Sequence, residues 1–421
     1  MRAEIVAVGT ELLLGQIANT NARWISDRLA AIGMDVLHHQ AVGDNLDRIV
    51  EAIRLAAGRA DVVILTGGLG PTQDDITRDA IATVLDAPMV RHPELEDLLR
   101  EKFRAFGRAE MPVSNLRQAD VPEGARFIVP TRGTAPGLVA TLSGGARLYA
   151  VPGVPEEMVE MMDGAILPEL GSQAEGVVRS RMLRCAGIGE SAVAELVSDL
   201  FEGSSNPSVA FLASTGEVRV RVTAKAATTE EADRMIQPVA DEVRRRVGHH
   251  VFSADGESLE EVVVRLLRTA GARLACAESL TGGGVGARLT GVPGASDVFL
   301  GSAVVYAVAA KAQLLGVSTE TLDGPGPVSE ACAREMATGA RKVFDADLGL
   351  AVTGAAGPEP HGGAAPGTVW IALEGDDVSH ARGVSVPEDR DRIRRWTGQA
   401  ALDLLRRHLE GRPLPASDLA G

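Results

Sequence analysis

The chain has 421 residues, of which 45% are hydrophobic, 24% charged and 3% aromatic, and its formal net charge is −15. This length exceeds one ordinary core and implies two or three domains. The acidic balance and scarce aromatics exclude a general nucleic-acid binder, which needs a basic face and stacking rings.

"MRAEIVAVGTELLLGQ" opens the chain as a buried strand. Glu4 and Glu11 interrupt its apolar run, so it lacks the layout of a signal peptide. "ANTNARWISDRLAAIG" then reads as a helix, "MDVLHHQAVG" as a strand, "LDRIVEAIRLAAGR" as a helix and "ADVVILTGG" as a strand. Continuous Val/Ile/Leu strands alternating with helices predict a doubly wound α/β domain over residues 1–172, with "GSQAEG" at 171–176 as its boundary. From 173 to 255, "VVRSRMLRCAG" and "VRVRVTAKAA" alternate like half-exposed strands between helices, a small α+β module. "SADGES" supplies a turn and an N-cap, and a third α/β unit is expected over 256–415, followed by a polar tail. No run of about 18 uncharged apolar residues appears, so no membrane-spanning helix and no membrane partner are expected. Cys185, Cys276 and Cys332 lie far apart in apolar surroundings, which fits buried free thiols in a reducing cytoplasm.

Two clusters near the N-terminus carry chemistry. "VGTELLLGQIANTN" holds Glu11, and "LTGGLGPTQDDITRD" holds Gly67, Gly68, Asp74 and Asp75. Both fall where parallel strands end, the place at which such sheets bind ligands. Glycines there admit a phosphate to the backbone, and adjacent aspartates suit a hard cation such as Mg²⁺. Asp74 and Asp75 would equally serve as caps for a helix starting near Ile76.

In the last third, "RLLRTAGARLACAESLTGGGVGARL" ends a strand at Glu278 and Ser279 and enters glycines. A serine needs a base, and neither His361 nor His380 has a motif around it. "VVYAVAAKAQLLG" instead places Tyr306 and Lys311 at the start of a helix, where a desolvated lysine can act as base. A core tyrosine beside a surface lysine explains the same residues without chemistry.

The order "VGTELLLGQIANTNA", "VGDN", "TGGLGPTQDDITRD", "GTAPG", "VPGVPEEM" resembles the competence/damage-inducible CinA family, whose first domain is similar to molybdopterin-binding MoaB/MogA-like proteins. "ACAESLTGG", "VVYAVAAKAQLLGV", "AVTGAAGP" and "EDRDRIRRW" resemble its C-terminal domain, which also occurs alone as nicotinamide-nucleotide amidase. The resemblance implies a KH-like middle module, read here as a spacer or dimerisation element. It further implies a metal-dependent ADP-ribose pyrophosphatase in the first domain, using Mg or Co, with Glu11, Asp44, Asp74 and Asp75 as metal or catalytic residues. Gly67, Gly68, Gly133, Thr134 and Gly137 would line its phosphate path. For the last domain it implies metal-free deamidation of nicotinamide mononucleotide (NMN), with Ser279 as nucleophile and Lys311 and Tyr306 handling protons. Thr281, Gly282 and Gly283 would donate to the oxyanion, Thr353 and Gly354 would bind ligand, and Arg390 and Arg394 would hold the phosphate. A homodimer is expected, as is a cytoplasmic location. Ala307 and Val308 stand where the family often has Ser-Asn before the lysine.

Overall fold

The computed structural model describes all residues except 106, 109, 173–175, 203–205 and 420–421, and only the backbone of 201, 202 and 213. The expected boundary at 171–176 thus lies partly outside the described residues. The chain forms two compact units, Met1–Arg179 with Ala224–Arg234, and Ser180–Thr223 with Met235–Gly421.

In the first unit the elements run β1 (Arg2–Val8), α1 (Thr10–Leu13), α2 (Thr20–Ala31), β2 (Asp35–Val42), α3 (Leu46–Ala57), β3 (Val62–Thr66), α4 (Thr77–Leu85), β4 (Met89–Arg91) and α5 (Pro93–Ala105). They continue through β5 (Asp120–Pro122), β6 (Arg126–Ile128), β7 (Gly137–Thr141), β8 (Arg147–Val151), α6 (Pro155–Met161) and α7 (Leu167–Gly171). The main sheet has the order β2-β1-β3-β8-β7-β6. Its first four strands are parallel, and apolar clusters cover both faces, one around Val6, Val63 and Leu148, the other around Ile5, Ile64 and Tyr149. Period-two alternation sends neighbouring residues of one strand to opposite cores, which is why the strands read as unbroken apolar runs. The last two strands are antiparallel. The 142–146 connection from β7 to β8 is too short for a crossover, and Leu142 N–H closes the hairpin on Ala146 O at 2.8 Å.

The second unit contains a four-stranded sheet, β10-β11-β9-β12, from β9 (Val177–Ala186), β10 (Ser208–Ser214), β11 (Glu217–Ala226) and β12 (Val251–Ser253), with α8 (Glu190–Glu202) and α9 (Thr229–Val247) between strands. Strands β9 and β11 and helix α9 extend across the division between the units. Next come α10 (Leu259–Ala270), β13 (Leu274–Glu278), α11 (Gly284–Thr290), β14 (Phe299–Val304), α12 (Val308–Leu315), α13 (Thr319–Asp323) and α14 (Glu330–Phe344). The unit closes with β15 (Leu348–Gly354), β16 (Thr368–Glu374), β17 (Ser379–Ser385) and α15 (Arg390–Leu409). The expected N-cap is Ser258, whose hydroxyl accepts from Glu261 N–H while the Glu261 carboxylate accepts from Ser258 N–H. The five-stranded sheet is β14-β13-β15-β16-β17, parallel over its first three strands and antiparallel beyond.

Candidate active site and strand-end loops

Sheet register decides what faces Ser279. Glu278 pairs with Val352 across β13 and β15, and Ser279 N–H donates to Val352 O at 3.0 Å. The next residues, Ser279 and Thr353, therefore share a face with Ala275, Ala277 and Ala351, whose cluster contains Val305, Leu315, Cys332 and Met336. Lys311 of α12 enters this face completely buried. Its Nζ donates to Thr353 Oγ1 at 3.2 Å and lies 3.4 Å from Met336 Sδ. Burial pushes its pKa down from the usual 10.5 to about 8. Ser279 is 5% exposed. Among the described residues its hydroxyl makes no hydrogen bond, and none joins it to Lys311; Thr353 is the side chain that bridges the strand end to the amine.

Ser279 opens on a cavity of about 280 Å³ walled by Tyr306, Gly354, the 355–361 loop and Arg390. Tyr306 is exposed, and its Oη accepts from Arg390 Nη2 at 2.9 Å; Arg390 Nη1 donates to Gly357 O at 2.7 Å. His361, without a motif in the sequence, and Glu359 also line this cavity. A hairpin-like turn, closed by reciprocal bonds between His361 and Ala364, brings them there.

The opposite face holds Glu278, fully buried. Its carboxylate accepts from Thr281 Oγ1 (2.7 Å), Val285 N–H (3.0 Å), Gly286 N–H (2.8 Å) and Ser302 Oγ (2.9 Å). It thereby pins the turn that follows Ser279 to the start of α11. Gly282, at φ +61°, gives its N–H to Ser279 O at 3.1 Å, so that group is spent inside the turn. The Thr281 and Gly283 N–H groups have no protein acceptor among the described residues. Arg394, expected at a phosphate, holds the turn from outside: Nε donates to Leu280 O at 3.0 Å and Nη2 to Thr281 O at 3.1 Å. Thr353 likewise faces Lys311 and Pro327 O, to which its hydroxyl donates at 2.7 Å, while Gly354 lines the cavity.

In the first unit, Gly67 and Gly68 sit at the end of β3. A Cβ on Gly67 would lie 2.2 Å from Val8 O, and φ is +109° there, so glycine is required. Asn21 Nδ2 ties the ends of β3 and β8, donating to Thr66 Oγ1 (3.0 Å) and Gly153 O (2.8 Å). The glycine loop is staked by arginines. Buried Arg78 donates to Gly70 O at 3.2 Å and to Leu69 O, and Arg117 donates to Thr72 O at 2.6 Å. Gly137 begins β7 beside the end of β8, where a Cβ would meet Met161 Sδ at 2.2 Å. Gly133 abuts the Glu157 carboxylate, and Thr134 follows it half-buried.

Three of the four acidic residues have protein partners. Asp75 Oδ2 accepts from Thr72 N–H (2.9 Å) and from Thr72 Oγ1, and α4 has no side-chain cap. The Thr72 hydroxyl also holds the Asp74 carboxyl below its usual range. Asp44 Oδ2 accepts from Thr10 N–H at 2.9 Å, and exposed Glu11 folds over Gly9. Among the described residues no group of three or more His, Cys, Asp or Glu side chains could hold a metal ion. As arranged, this donor set does not fit the cation that the resemblance implies.

Among the described residues no helix is long and apolar enough to cross a membrane, and all three cysteines are free and buried. Residues 4–172 match the model of a probable molybdopterin binding domain, 180–253 that of the damage-inducible protein CinA KH domain, and 256–409 that of the CinA C-terminal domain. A CinA-like protein of Frankia casuarinae is 47% identical, covering 98% of this chain and 97% of its own length. A putative competence-damage inducible protein of Caldanaerobacter subterraneus subsp. tengcongensis is 41% identical over 98% and 100%. The solved protein CinA from Thermoplasma acidophilum, described as of unknown function, is 34% identical over 38% of this chain and 94% of its own, with a TM-score of 0.36. With full-length identity at this level, a mixed α/β fold and all three domain models in order, the chain belongs to the CinA family.

Proposed function

We propose that the second unit hydrolyses the carboxamide of NMN to nicotinate mononucleotide and ammonia. The observation that carries this reading is a buried lysine, with no carboxylate partner among the described residues, on the same sheet face as a cavity-lining serine and hydrogen-bonded to Thr353 at the end of the neighbouring strand β15. Ser279 Oγ attacks the carboxamide carbon, and its proton passes to the neutral Lys311 amine, with Thr353 holding that amine in place. The resulting ammonium protonates the leaving nitrogen as the C–N bond breaks, and ammonia departs. Water then cleaves the ester and returns the hydroxyl to Ser279. Thr281 and Gly283 N–H groups are the donors still free for the oxyanion, a contribution on the order of 10²–10³ in rate where such groups have been removed. Tyr306 and Arg390 border the cavity for the nucleotide, the guanidinium forking onto phosphate. The test is ammonia release from NMN by wild type and Ser279→Ala; no release from wild type, or equal release from both, would sink the assignment.

For the first unit the reading is ADP-ribose pyrophosphate hydrolysis to AMP and ribose 5-phosphate. It is supported by the glycine loop at the strand ends and the arginines that fix its carbonyls. No step is routed through a metal, because among the described residues no three His, Cys, Asp or Glu side chains are grouped to hold one. AMP formation with and without Mg²⁺ or Co²⁺ tests this; tight pterin binding without turnover would instead favour a binding protein.

A further inference from the structure

The turn after Ser279 has a second cavity on its other side, about 580 Å³ in volume, sharing no lining residue with the first. Asp391, Arg394, Arg395 and Gly398 follow i, i+3, i+4, i+7 along α15 and so form one helix face along its wall. Thr281, Gly284 and Arg288 face it from the nucleophile turn and α11.

Three guanidiniums therefore converge, and they are incompletely neutralised. Arg288 uses Nη2 on Glu260 (2.7 Å) and on Gln399 Oε1 (2.8 Å), leaving Nη1 without a partner among the described residues. Arg394 spends Nε and Nη2 on loop carbonyls, and its Nη1 has only Asp391 at 3.8 Å. Arg395 touches only the Asp391 carbonyl, at 3.4 Å, and has no carboxylate within 4.0 Å among the described residues. Asp391 is the one acidic residue lining the cavity, and its side chain is 77% exposed. In a chain of net charge −15, such a concentration of positive charge stands against the general field.

We propose that this cavity is an anion site distinct from the amide cavity, taking a ligand with at least two linked phosphates. Guanidiniums fork onto phosphate oxygens, and three of them on two helices match more than one phosphate. An occupant also reaches the nucleophile turn, because Arg394 lends it Nη1 while holding Leu280 O and Thr281 O. Binding is read without turnover, so the proposal can fail while the amidase reading stands, and the reverse.

The experiment is calorimetric titration of the full chain with inorganic pyrophosphate at low salt, in wild type, Arg395→Ala and Arg395→Lys. Arg395 is exposed and outside the amide cavity, so folding and the KM for NMN should be unchanged. The expected result is a binding component weakened at least tenfold in Arg395→Ala, less in Arg395→Lys, and unaffected by saturating NMN. Equal affinity in wild type and Arg395→Ala, no saturable binding, or displacement by NMN would overturn it.

Discussion

Replacing Lys311 with methionine should slow the chemistry by orders of magnitude and raise stability at pH 7 together. The amine is fully buried with Thr353 and Met336 as its polar contacts, and burial brings its pKa from 10.5 to about 8. At about 1.36 kcal/mol per pKa unit, keeping it charged costs the folded state about 3 kcal/mol at pH 7. The unfolded chain holds this proton up to about pH 10.5, whereas the folded chain releases it from about pH 8. Between those values the unfolded state binds more protons, so stability rises with pH and the penalty is gone above the upper one. Methionine fills similar space without charge and forfeits one hydrogen bond to Thr353, worth about 1 kcal/mol. The net gain is about 2 kcal/mol at pH 7, falls to nothing at about pH 10 and becomes a loss of about 1 kcal/mol above it, while ammonia release falls about 10²–10⁴-fold. Urea unfolding at pH 7 and pH 10, followed by tryptophan fluorescence, measures the first effect. A variant less stable than wild type at pH 7, or a gain that ignores pH, would refute the reasoning.

The same amine sets the rate profile: kcat/KM for NMN should climb with pH and level off above about pH 8, read by steady-state ammonia release. Glu278→Gln keeps shape but offers one acceptor oxygen to two backbone N–H groups and turns an amide NH₂ toward one of them. An unfolding loss of about 2–4 kcal/mol and a fall in kcat larger than the change in KM are expected. Ala307 is the N-cap of α12 and makes no side-chain bond there, so Ala307→Ser should add about 1 kcal/mol by thermal unfolding. Gly67→Ala forces a side chain to φ +109° and against Val8 O; about 1–3 kcal/mol of backbone strain alone should lower the first unit's melting temperature and ADP-ribose binding.

What the sequence disclosed follows from locality. Strands such as Val62–Thr66, the cap at Ser258 and the helix carrying Lys311 are written in short-range periodicity and could be placed without coordinates. The contacts that decide roles are long-range. Arg394 reaches Leu280 O from 114 residues away, and Thr353 meets Lys311 across 42; neither pairing leaves a trace in local pattern. His361 looked inert because its surroundings are glycine and proline, yet that composition turns the loop into the cavity. Asp74 and Asp75 read as caps or ligands because adjacent carboxylates suit both. Thr72, two residues before Asp74, engages both of them. The antiparallel β7–β8 pair escaped a reading built on parallel strands, since a five-residue hairpin reverses direction without changing apolar character.

Amide hydrolysis by this route requires a transient ester on the Ser279 hydroxyl. Acid-quenched mixing of the enzyme with NMN, followed by mass spectrometry of the peptide containing Ser279, tests it most directly. The expected result is a nicotinate-mononucleotide adduct on that residue in wild type, absent in Ser279→Ala. Rapid ammonia release with an unmodified Ser279 peptide, or the adduct on a different side chain, would contradict it.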